Sequence, residues 1–596
     1  MANLVGIFDS KSITRSDFIA SCETGLPAFD TVNKGALDQG SLSLAWAACR
    51  NAPISRAVLE NGSFCFVVGE FTHNTASPDE AAALIKLSEG VGPLCVSGQN
   101  GYYLSVLSEA DGKVYIGTDT LGLFPLFYWS NNDTLLFSTS PGLLKRFQGL
   151  QAKPDPHGIA GILLTMHITR GRTVWEGVHR LKPGHALAFH PGSGSREIKA
   201  GLLENTDRHF GKTFAECQRL CHETLETVAS RATANQFSML LSGGLDSRLI
   251  SGYLSRAGQS NITALTVGLD TDYEMQCASP VAKALRWPQR KVRDTQSSFC
   301  DYARIQIDNE QMSHSFVELS FWQAAHALRE MSGPVVTGYL GDPVLGFTHV
   351  PFGYDDTLDT HTFEQHFQEM NRYGFTPDQL RVLLRPEFAG ECVTETIHAM
   401  RHEYQSIEGL PFQKSWKFDL LYRQRLHVAP FAWRMSLGAW PRLPYTDRDL
   451  LEVAAGMAPA ALGDRRVQIA LLCQRFRQLA ELPLDRNSEN IEPLIATLGY
   501  RIRRKLFPQR LRNQLFGTNA EKRFYFRVFD INNAGWTAVR VYAEQFRPVA
   551  ETLFKPEALR AFLPPPPTPI NLQDGIIDGA ARKTLLGLMI WAGRHL

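Results

Sequence analysis

The sequence predicts a chain in two parts: an α+β first domain built on antiparallel sheet, then an α/β domain with a parallel sheet and a large helical part. Three observations lead there. Up to about residue 200, short apolar runs rich in β-branched and aromatic residues alternate with turn clusters. From about Phe210 the apolar spacing becomes helical, and strands begin to alternate with helices. After about residue 355 the periodicity is helical almost throughout.

In order along the chain, Phe64 to Val68, Tyr102 to Leu107, Lys113 to Ile116, Pro125 to Trp129, Thr134 to Phe137 and His185 to Phe189 read as strands. Asp111-Gly112 and Asn131-Asn132-Asp133 fall where hairpin turns are needed. Pro191 to Ser195 reads as a surface loop close to a domain boundary. A helix is predicted over 214–232, a strand over 237–241, a Gly-rich turn, a helix over 248–255, and buried strands over 262–268 and 335–337. Pro564 to Pro567 reads as a stiff connector before an apolar helix, Lys583 to Trp591.

With 596 residues the chain can bury substantial cores, and 61 Lys+Arg against 60 Asp+Glu removes the electrostatic case for a dedicated nucleic-acid binder. No run approaches the ~18 apolar residues of a membrane span, and the first residues lack the pattern of a secretory signal, so no membrane insertion and a cytoplasmic location are expected. Ten cysteines without C-x-x-C pairs signal neither disulfides nor zinc. One basic stretch, Arg501 to Arg512, reads as a solvated helix face or a docking surface for a partner.

The segment with the clearest chemistry is Leu241-Ser242-Gly243-Gly244-Leu245-Asp246-Ser247, between a predicted strand and a predicted helix. Two glycines let the backbone approach an anion, the first amides of the helix point at it, and Ser242 and Ser247 add hydroxyls. That is a pyrophosphate cradle. Asp246 would repel bare phosphate, so a hard cation such as Mg²⁺ is expected between them. Six specified residues would recur by chance in about one chain in 10⁴.

This segment resembles the SGGxDS signature of the asparagine-synthetase-like ATP pyrophosphatases. Thr337-Gly338-Tyr339-Leu340-Gly341-Asp342 resembles the family's second segment, with Asp342 on its second metal-binding position. Arg442-Leu443-Pro444-Tyr445-Thr446-Asp447 is similar to its R-x-P-F-L-D. Asp119 to Tyr128, Phe137 to Ser140 and Val178 to Gly184 resemble its glutaminase domain. The resemblance implies a degenerate class II glutamine amidotransferase domain of the N-terminal-nucleophile sandwich type over 1–205 and an ATP-pyrophosphatase-type amide ligase over 206–596. It further implies ATP and Mg²⁺ as cofactors, with Val267 and Gly338 joining the loop at the nucleotide and Asp246 and Asp342 holding the metal.

Three departures direct the expectation. Val5-Gly6-Ile7-Phe8 stands where glutamine-using members begin with a nucleophilic Cys, and Val68-Gly69-Glu70 keeps only part of N-G-E, so the first domain is expected to be a retired glutaminase. Cys22 is an unsuited substitute because it has no N-terminal amine. Tyr339 stands where asparagine synthetases carry Glu and matches the beta-lactam synthetases, in which a Tyr oriented by a Glu relays a proton; here it either relays a proton or packs against nucleotide, and Glu310, Glu318 and Glu364 are all open as its partner. No Lys follows Leu482-Pro483, so Arg486 or Arg465 is expected to supply the charge. The nearest resemblance is to the lasso-peptide macrolactam synthetases, which adenylate an Asp or Glu side chain of a core peptide for attack by its N-terminal amine. A ribosomal precursor peptide and a leader-cleaving cysteine-protease-like protein are the partners implied. Beta-lactam synthesis from a small β-amino acid and a non-catalytic peptide-delivering scaffold are the alternatives.

Overall fold

In a computed structural model, the structure describes residues 3–26, 33–72, 79–258, 261–346, 362–428, 430–485, 491–506 and 524–596. Up to Lys199 two antiparallel sheets are stacked. The first runs β10 (His179–Arg180), β8 (Phe127–Ser130), β9 (Leu135–Ser138), β1 (Asn3–Phe8), β3 (Leu42–Ala48), β2 (Asn33–Gln39). The second runs β12 (Gly194–Lys199), β11 (His185–His190), β7 (Val114–Thr118), β6 (Gly101–Ser108), β5 (Phe64–Phe71), β4 (Ile54–Val58).

The period-2 alternation of side chains dictates the layering. Phe64, Phe66 and Val68 of β5 meet Leu4, Phe8, Leu42 and Leu44 between the sheets. Cys65 and Val67 point the other way, onto the helix Glu80–Val91. Val5, Ile7, Ala45 and Ala47 likewise leave the first sheet outward, toward helices Ser12–Cys22 and Pro156–Thr165. The result is a helix–sheet–sheet–helix sandwich, the class expected.

Pro191 to Ser195, expected as a surface loop, is the exposed turn of the β11–β12 hairpin, in which His185 pairs with Lys199 and His190 with Gly194. Six strands of the first domain, β1, β2, β3, β4, β10 and β12, are not among those predicted: β2, β4 and β12 show mixed or alternating exposure, β3 is mostly small residues, β10 has only two residues, and β1 is a short buried run with no turn signal ahead of it.

The helix Phe214–Arg231 opens the second region on a capping box, in which Thr213 Oγ1 accepts from the Glu216 amide and Glu216 accepts from the Thr213 amide. The third sheet is wholly parallel: β15 (Gln289–Val292), β14 (Ile262–Val267), β13 (Phe237–Leu240), β16 (Val335–Thr337), β17 (Pro441–Arg442). The chain first builds outward from β13 through β14 to β15, then returns to add β16 on the other side. The switch point lies between the carboxyl ends of β13 and β16, the place where open α/β sheets bind ligands.

Helices make up most of the rest. Among them is a π-helix, Asp419–Val428, and the 19-residue helix Ile577–His595. Trp416, Phe418 and Trp433 are core, as their residue types suggest. Both main cores cross the expected boundary near residue 205. One joins Leu104 and Phe124 to Leu249 and Trp440; the other joins Val5 and Ile7 to Trp433 and Trp591. Among the described residues no helix is long and apolar enough to cross a membrane.

Candidate active site

The loop after β13 has the shape the glycines predict. Gly243 adopts φ +74°, and a Cβ there would lie 2.4 Å from the Ala278 amide nitrogen. Gly244 is extended and caps the helix Leu245–Arg256. Ser242 Oγ lies 3.0 Å from Ser247 Oγ and accepts from the Gly244 amide at 3.3 Å, so both hydroxyls converge at the helix start. Leu241 and Leu245 are buried beneath as anchors.

The loop after β16 is pressed against it. A Cβ on Gly338 would meet the Ser247 amide at 2.5 Å, and one on Gly341 would meet Asp246 Oδ1 at 2.6 Å. Leu340, at φ +63°, turns the chain so that Asp342 comes beside Asp246. Burial and then Asp246 push the Asp342 carboxyl up to about 7. Two carboxylates crowded in this way are what an octahedral divalent cation requires, so the residues fit Mg²⁺. Among the described residues no group of three or more His, Cys, Asp or Glu forms a metal cage, so a bound cation would depend on the substrate's phosphates and on water for further ligands.

Asp246 is engaged from the far side. Arg465 and Gln468 both donate to Oδ1, the latter at 2.7 Å, while Tyr445 donates to the Asp246 carbonyl at 3.1 Å. Arg465, expected to supply charge in place of the family lysine, therefore pairs with Asp246, one of the two carboxylates expected to hold the metal. Arg486, the other residue expected in that role, lies outside the described residues.

Arg248 anchors the site from beneath. Its fully buried guanidinium donates to the carbonyls of Gly243 at 2.8 Å, Leu479 at 2.9 Å and Leu482 at 3.0 Å, and also to Pro483. The nucleotide loop and the Leu-Pro segment are thereby joined as one unit.

Tyr339 follows Gly338 with its ring 6.0 Å from that of Phe431. Its hydroxyl is buried and has no hydrogen-bond partner among the described residues. Burial, and next the carboxylates of Glu318 and Asp342, push it well above the ordinary phenol range. Of the three glutamates left open, Glu318 is the one whose charge acts on Tyr339; burial raises it to about 7, against the charges of Arg434, Arg423 and Lys583. Glu310 is committed to Arg434, and Glu364 lies on the surface with Arg401.

Val267 ends the neighbouring strand β14 in an apolar cluster with Val317, Phe529 and Ala580. Phe529 and Ala580 come from the chain's last 73 residues, which pack at the carboxyl end of β14; Arg527 pairs with Asp272 at 2.8 Å and Asp294 at 3.2 Å, just after β14 and β15. Lys583 is fully buried in this layer, 4.6 Å from the Phe529 ring centre and 4.9 Å from that of Trp536, and burial lowers it to about 7. Sequence reasoning missed the roles of Lys583 and Gln468, the contact of Tyr445 with Asp246 and the anchoring role of Arg248. Arg248, adjoining the loop, and Tyr445, inside the R-x-P-F-L-D-like segment, carried a local signal.

The corresponding corner of the first domain is filled. Val5 is fully buried in the middle of β1, paired with Ala45 and Ser138. Glu70 accepts from Arg442 Nε at 2.6 Å and Nη2 at 2.8 Å, a two-pronged ion pair to the second region. Burial raises the thiols of Cys22, Cys49 and Cys95 to about 11 and that of Cys65 higher, which makes all four poor nucleophiles.

Comparison with known proteins agrees with this division. A glutamine amidotransferase domain model matches residues 69–198, and an asparagine synthase model matches residues 222–472. Asparagine synthetase [glutamine-hydrolyzing] 3 of Bacillus subtilis (strain 168) is 26% identical over 189 residues, 30% of this chain and 30% of that protein. Amidase chyE of Penicillium rubens is 24% identical over 268 residues, 42% of this chain and 38% of that protein. The chain thus matches about a third of the length of these curated relatives. Among solved structures, glutamine phosphoribosylpyrophosphate amidotransferase from B. subtilis aligns at 8% identity and TM-score 0.24, covering 62% of this chain and 89% of that one. The NH3-dependent NAD synthetase from Campylobacter jejuni aligns at 15% and 0.18, covering 32% and 95%.

Proposed function

From a chain that joins a glutamine amidotransferase domain to an asparagine synthase domain, the two-domain plan of the asparagine synthetase family, we propose an ATP-dependent amide ligase that uses an amine of its own substrate instead of ammonia from glutamine. The substrate we favour is a ribosomal core peptide, closed into a macrolactam between its N-terminal amine and an Asp or Glu side chain. The observation that carries this reading is the contrast at the two sites: Asp246 and Asp342 converge on an intact Ser-Gly-Gly loop, while Val5, where the resemblance would place a nucleophile, is a core residue.

In this reading the amides of the loop and the hydroxyls of Ser242 and Ser247 hold the β- and γ-phosphates. Asp246 and Asp342 would hold Mg²⁺, which supplies charge neutralisation at the phosphates. A substrate carboxylate oxygen attacks the α-phosphorus, the bond to the bridging oxygen breaks, and pyrophosphate leaves. The amine then attacks the acyl-adenylate carbonyl, its proton passes to the Tyr339 and Glu318 pair, and AMP departs with the bond electrons. The layer of residues 524–596 would exclude water and hold a long substrate in a reactive fold.

A beta-lactam synthetase is the second reading, favoured by the charge of Glu318 acting on Tyr339. One assay separates the two. Purified protein with ATP and Mg²⁺ is offered a peptide with a free N-terminus and an internal acidic residue, a small β-amino acid, or aspartate with glutamine. We expect pyrophosphate, AMP and loss of one water from the peptide alone. Turnover of the β-amino acid alone selects the second reading, amidation of aspartate by glutamine refutes both, and peptide binding without ATP consumption would make the chain a delivery scaffold.

A further inference from the structure

Behind Tyr339, a line of almost unexposed side chains runs from the first domain to the synthetase site. Arg180, His314, Glu310 and Arg434 are exposed by 4%, 2%, 1% and 2%. Arg180 ends β10, the edge strand of the first sheet. Its Nη1 donates to His314 Nε2 at 2.7 Å. Because Nε2 accepts, the ring proton is assigned to Nδ1, which lies 3.4 Å from Glu310 Oε2, an electrostatic contact that falls short of a formed hydrogen bond. Glu310, last in the helix Phe299–Glu310, then receives Arg434 Nε at 2.6 Å and Nη2 at 2.7 Å. Arg434 lies in the short helix Pro430–Met435, which also presents Phe431 to the Tyr339 ring.

Such a line is a costly way to hold two domains together. Buried ion pairs of this kind are often no more stabilising than apolar residues of equal volume, and they demand exact partners. The neighbouring contacts already suffice for docking: Trp440 packs on Tyr102 and Phe124, and Arg425 of the π-helix donates to the carbonyls of Gly122 and Leu181. What the charged line adds is a fixed place for one guanidinium. Burial lowers His314 to about 4, which keeps its ring neutral and the sequence of charges unchanged across the working pH range.

We propose that the first domain is a working part of the synthetase site: Arg180, through His314 and Glu310, positions the Arg434 guanidinium beside Tyr339 and Glu318, where it balances charge as the attacking amine loses its proton. This rests on the amide-ligase reading above. Arg180, His314 and Glu310 are positioning residues. The domain's retention without its nucleophile then has a reason internal to the second reaction.

The test compares His314→Leu, which cuts both links, with His314→Gln, whose amide can accept from Arg180 and donate to Glu310. Pyrophosphate release is followed with saturating peptide, together with urea unfolding. We expect His314→Leu to lower kcat at least about tenfold, to leave KM for ATP within about twofold, and to move the alkaline limb of the pH profile, and His314→Gln to recover to within about threefold. A folded His314→Leu protein with the parent's kcat and pH profile overturns the proposal, as does a Gln variant as slow as the Leu variant. If His314→Leu does not fold, Arg180→Lys takes its place: it keeps the charge but should slow kcat about threefold or more, and an unchanged kcat overturns the proposal. If the parent itself releases no pyrophosphate with any carboxylate, the ligase reading fails and the line is judged separately by ¹⁵N spectra of histidine-labelled protein. A neutral Nδ1-protonated ring that shifts on Arg180→Lys supports it, and an Nε2-protonated ring overturns it.

Discussion

The two motif-bearing corners of this protein treat their polar groups in opposite ways. In the first domain, Glu70 is consumed by Arg442, and Val5, where the resemblance would place a nucleophile, is a core residue. In the synthetase site, Ser242 and Ser247 bond chiefly each other, Asp246 and Asp342 crowd together, and the Tyr339 hydroxyl and Lys583 amine have no hydrogen-bond partner among the described residues. The contrast is in bonding capacity: the synthetase corner keeps hydroxyls and a carboxylate pair that its own fold does not fully occupy, while the carboxylate of the first-domain corner is taken up by an ion pair between the two regions.

The strongest way to break this contrast is at the carboxylate pair. Asp246→Ala or Asp342→Asn should lower ATP-dependent pyrophosphate release by about 10³-fold or more with an unchanged circular dichroism spectrum; activity within tenfold of the parent would remove the pair from the chemistry. Next come two glycines with equally forbidden Cβ positions. Gly243→Ala, at φ +74°, should cost about 10²-fold in kcat/KM for ATP. Gly69→Ala, at φ +117° with its Cβ 2.3 Å from the Tyr102 carbonyl, should cost about 1–3 kcal/mol of stability while the folded fraction keeps its kcat. Equal kinetic damage from both would erase the distinction.

The two corners should also differ in the sign of their stability effects. Glu70→Gln weakens a half-shielded ion pair and should destabilise by about 1–2 kcal/mol in urea, without affecting any response to glutamine. Lys583→Met should do the reverse. Burial lowers this amine from 10.5 to about 7, so the unfolded chain binds the extra proton between those values. The penalty is complete below about pH 7 and fades as the pH rises toward 10.5. The substitution should therefore raise the unfolding midpoint near pH 6.5 and leave it unchanged near pH 10.5; a gain that does not vary with pH would mean that the ammonium is not the cause.

How far the sequence could be read follows from how local each feature is. The Ser242–Ser247 loop was legible because one turn and one helix start contain all of it, and β13 and β16 because buried parallel strands are short apolar runs. The sandwich was legible through β5 and β6, whose faces are both apolar, but not through β2 and β4, which are exposed on one side. The choice of Glu318 over Glu310 and Glu364 was invisible, since it depends on packing from three separate segments. So was the line to Arg434, whose bonds join Arg180 to His314 across 134 positions and Glu310 to Arg434 across 124. No window of sequence spans such a pair.

Arg248 shows what this means for taking the molecule apart. The segment with a recognisable family pattern ends at residue 472, yet three of the four carbonyls that satisfy this guanidinium, Leu479, Leu482 and Pro483, come after it. A fragment cut at that limit would carry a complete signature motif and an interior cation stripped of most of its acceptors. The smallest piece able to shape the loop is therefore longer than the piece that can be recognised, and a truncation series should lose nucleotide binding before it reaches the family boundary.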